Sequence, residues 1–85
     1  MTRKKVLKDD LDIRIGLNLK QARKDSNINI SQNDIAKLLS VQQGQISRYE
    51  AGLDRITASS LFRVAIFYDK DINYFFRITK QLEME

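Results

Sequence analysis

Apolar residues return at intervals of three and four along most of the chain, and that spacing predicts helices. Leu11, Ile15, Leu19 and Ala22 form the first stripe, with Arg14, Lys20, Arg23 and Lys24 on other faces, and this helix is expected to end near Asp25. Asp25 to Asn29 is turn-rich and leads onward. Ser31, followed three positions later by Asp34, makes a capping-box-like start for a second helix with Ile35, Ala36, Leu38 and Leu39 on its apolar side. That helix must stop at Ser40. A third runs from about Gln42 to Glu50, buries Ile46 and Tyr49, and is closed by Gly52. Thr57 or Ser59 can cap a fourth, which is apolar almost all round from Leu61 to Tyr68. One stripe of it faces a core, leaving Phe62, Ile66 or Phe67 for something else to cover. Asp71 caps a last helix, Ile72 to about Phe76. The expectation is an all-α chain with five helices in one domain over residues 11–76, a basic flexible arm at 1–10 and a tail at 77–85.

Composition narrows what such a domain can do. With 85 residues and neither Cys nor His, disulfides, thiol chemistry and the usual zinc sites drop out. No apolar run reaches membrane-spanning length, and the basic start is not followed by a signal-peptide core, so a cytoplasmic protein is expected. The net charge is +4. Its placement says more, because eight Lys/Arg and three Asp precede residue 25, giving about +5 there. One-sided basic surface suits a partner with a phosphate backbone.

The informative stretch is SQNDIAKLLSVQQGQISRYEAG, Ser31 to Gly52. Ala36 is small where two helices would cross, Ser40 stands at the turn, and Val41 and Ile46 can seat the second helix on the core. Helices joined by so short a turn cross steeply and expose the second one. The stretch resembles the helix-turn-helix of the XRE family, the lambdoid phage repressor and Cro type. Ile15-Gly16, Arg23, Tyr49 to Gly52, Arg55-Ile56, Ala58-Ser59, Leu61, Ala65 and Tyr74 to Phe76 extend the resemblance to a subgroup of short bacterial regulators. It implies a five-helix lambda-repressor-like fold that binds double-stranded DNA. Ser40 occupies a position where the family usually has Gly, which costs about 1 kcal/mol if the residue is left-handed.

Because Ile46 and Tyr49 take the inside, Gln43, Gly44, Gln45 and Arg48 are expected on the solvent side of the third helix. Gln can pair bidentately with adenine and Arg with guanine. The resemblance makes these the base-contact candidates, although Arg48 could hold a phosphate instead. It also places Gln32 at a phosphate, bracing Gln43, at a helix start that favours anions. Asn33, Gln42, Ser47 and Arg55 are further phosphate candidates. Ser47 could equally pack at the rim, and Arg55 could pair with Asp54. Arg3, Lys4 and Lys5 suit either a groove-following arm or a solubilising tail. In the family, the positions of Arg23 and Glu50 form an ion pair tying the first helix to the end of the third, a structural role. Phe62, Ile66, Tyr74, Phe75 and Phe76 are candidates for a dimer interface, or for sealing the core.

These residues imply a dimeric transcriptional regulator on a roughly palindromic operator, either a repressor or a restriction-modification controller. The alternative is the antitoxin of a toxin–antitoxin pair that also binds its own promoter, although the nine residues after Phe76 are short for wrapping a toxin. An enzyme is not expected, since His, Cys, a glycine-rich phosphate loop and a pocketed carboxylate pair are all missing. Asp9, Asp10 and Asp12 look like solvated or capping charge. No cofactor, small-molecule ligand or membrane contact is expected.

Overall fold

The computed structural model describes residues 2–78, with side chains from Leu11 onward. Four α-helices are present among the described residues: α1 (Thr2–Asp25), α2 (Gln32–Leu39), α3 (Gln43–Ala51) and α4 (Ala58–Tyr68). A short 3-10 helix, Ile72–Phe76, follows them. Two expectations need correction. The chain is helical from Thr2 rather than an arm up to residue 10; with Lys, Leu and Val and neither Gly nor Pro, nothing there breaks a helix. The expected fifth helix is a single 3-10 segment rather than a further α-helix, closed by short i to i+3 bonds such as the Tyr74 amide to the Asp71 carbonyl at 2.9 Å, and Asn18 holds its Phe75 carbonyl at 3.1 Å. Arg77 and Ile78 are the last described residues, so the remainder of the expected tail lies outside them.

The helix boundaries follow local chemistry. Ser31 Oγ accepts the Asp34 amide at 3.1 Å, while the Ser31 amide donates to Asp34 Oδ2 at 2.9 Å, completing a capping box. The Ser31 amide, and after it the Ser31 hydroxyl donating to Oδ2 at 3.0 Å, hold the Asp34 carboxyl below its usual range. Thr57, not Ser59, caps α4 by accepting from the Ser60 amide. Three helices end alike, on left-handed residues at Ser40 (φ 59°), Gly52 (φ 75°) and Asp69 (φ 56°). After each, the next amide reaches back to close the last turn at 2.9 Å: Val41 to Ala36, Leu53 to Arg48, Lys70 to Ala65.

The core is formed by Ile15, Leu19 and Ala22 of α1, Ile35, Ala36 and Leu39 of α2, Ile46 of α3, Leu61, Val64 and Ala65 of α4, and Ile30 and Phe75. Leu11, expected on the first stripe, is 43% exposed at the edge of this layer. The decisive approach is between α1 and α3. A Cβ on Gly16 would stand 2.5 Å from the Tyr49 carbonyl oxygen and 2.7 Å from that of Glu50, so only glycine lets the two backbones meet. Phe75 is fully buried, which removes it from the expected dimer surface and makes it a core residue. It is the largest fully buried side chain among the described residues.

Candidate nucleic-acid interface

The α2–α3 junction spans only Ser40 to Gln42, and its geometry is set by the left-handed Ser40. Ala36 is buried at the crossing, Val41 is half-buried and Ile46 is buried, which leaves the opposite side of α3 in solvent. Gln42, Gln43, Gly44, Ser47, Arg48 and Ala51 are exposed, Gln45 and Tyr49 half-buried, and Glu50 buried. Gln42 is the N-cap, yet its side chain makes no capping bond, so the first amides of α3 have no side-chain partner of its own. Gly44 has open space around its missing side chain, with nothing within 4 Å. A surface such as a duplex can therefore come up to the backbone of the first turn.

A hydrogen-bonded chain runs from the interior to this face. Arg23 on α1 and Glu50 on α3 pair bidentately, Nε to Oε2 at 2.9 Å and Nη2 to Oε1 at 3.0 Å. Glu50 raises the pKa of Arg23 through these bonds. Glu50 Oε1 also accepts from Gln32 Nε2 at 3.0 Å, and Gln32 Oε1 accepts from Gln43 Nε2. Gln32 thus holds Gln43 by its amide, on the same network that ties α1 to α3. Beside it, burial pushes the Tyr68 hydroxyl up to about 12. Asn33 is exposed next to Gln32 at the start of α2.

A second cluster was not anticipated. Asp54, just past the Gly52 turn, accepts from Arg48 Nε (2.8 Å) and Nη2 (3.1 Å) and from Gln45 Nε2 (2.9 Å). These donors hold its carboxyl down to about 2, Arg48 contributing most, and the Arg48 pKa rises in return. Asp54 is therefore not the partner of Arg55. Arg55 instead pairs with Asp12 of α1, at 3.3 Å from Nε and 3.5 Å from Nη2, and stays largely exposed. The adjacency of Asp54 and Arg55 in sequence suggested the wrong pair, because the turn at Gly52 directs neighbouring side chains to different helices. Asn18 was also missed. It is fully buried and holds the C-terminal segment to α1, Nδ2 donating to the Phe75 and Arg77 carbonyls and Oδ1 accepting from the Arg77 guanidinium. An Asn within an apolar helical stripe is the one sign the sequence offered.

Phe62, Ile66 and Phe67 on α4 are 57, 63 and 44% exposed, with Phe76 at 38% and Tyr74 half-buried. Among the described residues no cluster of His, Cys, Asp or Glu could hold a metal, and no helix is long and apolar enough to cross a membrane.

Two short helices around a left-handed turn, the second outermost and carrying Gln and Arg, define a helix-turn-helix domain. A family model described as Helix-turn-helix matches residues 19–75, and the chain belongs to that family, the XRE-type, Cro-like group of DNA-binding transcription regulators. No curated protein and no solved structure matches it.

Proposed function

We propose that the protein is a sequence-specific transcriptional regulator that binds double-stranded DNA as a homodimer and represses by occupying its operator. The observation that carries this reading is the outer face of α3, where Gln43, Gly44 and Arg48 are exposed and Gln43 stands at the end of a hydrogen-bonded brace. Gln43, Gln45 and Arg48 read base edges, and Gly44 permits close approach. Gln32, Asn33, Gln42, Ser47 and Arg55 face the phosphates.

A dimer is favoured on two grounds. One subunit offers three base-reading side chains at about 1–3 kcal/mol each. The lower part of that range falls short of the roughly 4–10 kcal/mol that separates specific from non-specific binding. Two subunits double it. In addition, Phe62 and Ile66 lie one turn apart on the outside of α4, flanked by Phe67, and a second copy would remove that apolar surface from water. Tyr74 and Phe76 lie on the adjoining segment. Two-fold symmetry then asks for a palindromic site with half-sites about one helical turn apart.

Selection of bound duplexes from random DNA, at stated salt, tests the proposal. A symmetric enriched motif, with binding that weakens steeply as salt rises, is the expected result. Equal retention of all duplexes would defeat it.

A further inference from the structure

The geometry points to Asp54 as a specificity-determining residue that presents Arg48 to the major-groove edge of a guanine and keeps it off the phosphates. This inference rests on the DNA-binding reading above and goes beyond it, since nothing in the helix-turn-helix itself calls for a carboxylate at this place.

The pairing mode carries the argument. Asp54 takes the side of the guanidinium, Oδ2 accepting from Nε at 2.8 Å and Oδ1 from Nη2 at 3.1 Å. A guanidinium has five N–H donors in a fixed plane. Side-on pairing consumes two and leaves the end edge, one N–H on each terminal nitrogen, parallel and unused. That edge matches the O6 and N7 acceptors of guanine. The Arg48 side chain is about half exposed, so the free edge is open to an approaching duplex.

The same carboxylate seats Gln45. Its Oδ2 accepts from Gln45 Nε2 at 2.9 Å, leaving one amide N–H and Oε1, the donor and acceptor that adenine N7 and N6 require. One group thus orders two base-reading side chains before DNA arrives, so the ordering is not left to the moment of binding. Charge acts in the same direction. A carboxylate beside Arg48 repels a phosphate oxygen, whereas neutral base acceptors meet only the ordered N–H pair. Arg48 therefore discriminates bases rather than adding to backbone attraction. The turn at Gly52 makes this possible: the Leu53 amide bonds the Arg48 carbonyl at 2.9 Å and returns Asp54 to the same side of α3 as Arg48.

Site selection on the wild-type protein, Arg48→Ala, Asp54→Asn and Asp54→Ala, with binding measured across a salt series, provides the test. The wild type is expected to enrich a guanine in each half-site that Arg48→Ala no longer selects. In Asp54→Asn and Asp54→Ala the preference at that pair falls about tenfold, within the range of one bidentate arginine–guanine contact, while the positions read by Gln43 keep theirs. As Arg48 turns to the backbone, the salt slope of log K steepens by about 0.9 per subunit. Thermal melts show that the variants remain folded. A motif retained unchanged in both Asp54 variants, or lacking an Arg48-dependent guanine, overturns the role of Asp54 and leaves the regulator reading standing. A wild type that enriches no motif overturns both.

Discussion

Replacing Glu50 by Ala removes the group on which three elements converge. The carboxylate is almost buried, with 6% of its side chain exposed, and accepts two bonds from Arg23 and one from Gln32. Taking one partner from a buried ion pair costs about 3–5 kcal/mol, because the other charge is left without compensation. Here Arg23 keeps 17% of its side chain in solvent and also reaches the Ile30 carbonyl at 3.4 Å, so water and that oxygen recover part of the loss. The lower end, about 3 kcal/mol, is therefore expected. For a domain of this size 1 kcal/mol moves the melting temperature by about 4–8 °C, so Glu50→Ala should melt roughly 12–24 °C below the wild type. Glu50→Gln, which keeps one acceptor but no charge, should fall between the two. Replacing Arg23 and Glu50 together by Met should regain most of the loss, because no buried charge is then left alone. Thermal unfolding followed by circular dichroism at neutral pH measures all four proteins. DNA affinity well below the variant's melting temperature should fall less than stability does, since only the Gln32 brace behind Gln43 is loosened. A Glu50→Ala protein melting within about 2 °C of wild type would show that the pair contributes under 1 kcal/mol and that α1 and α3 are held together without it.

Two glycines of the same domain should respond in opposite ways. Gly16→Ala drives a methyl into the carbonyls of Tyr49 and Glu50, and overpacking against backbone should cost at least about 1–3 kcal/mol, read as a lower melting temperature. Gly44→Ala meets nothing and should stabilise α3 by about 0.5–1 kcal/mol while weakening DNA binding, a split that melting and gel-shift titration would reveal together. Asn18→Leu leaves the Phe75 and Arg77 carbonyls without their donor, at about 1–3 kcal/mol for each group that stays buried, so limited proteolysis should reach the C-terminal segment sooner. The Asp54 carboxyl, held near 2 against an ordinary 3.8, should return toward 3.8 in Arg48→Ala when followed by carbon NMR. Because the folded value is the lower one, the pair contributes above pH 3.8 and its contribution fades as pH falls toward 2.

The periodicity of Ile15, Leu19, Ile35, Leu39 and Ile46, the capping box at Ser31 and the glycine at residue 52 were sufficient to read the end of α1, the α2–turn–α3 unit and the outward face of α3, but not the start of α1 or the 3-10 form of the last segment. Each is a local signal: spacing of apolar residues, a side chain reaching an amide within one turn, or a backbone angle that glycine adopts freely. Which charged and amide groups meet was settled only by packing. Asp54 takes Arg48 and Gln45 rather than Arg55, Asn18 reaches across 57 residues to Phe75, and Phe75 turns inward while Phe62 and Ile66 remain outside. Distances between side chains on different helices depend on how those helices are placed, and that placement is set by the close approach at Gly16 and the turns at Ser40 and Gly52 acting together. A linear pattern records the faces of each helix but not the partner each face will meet.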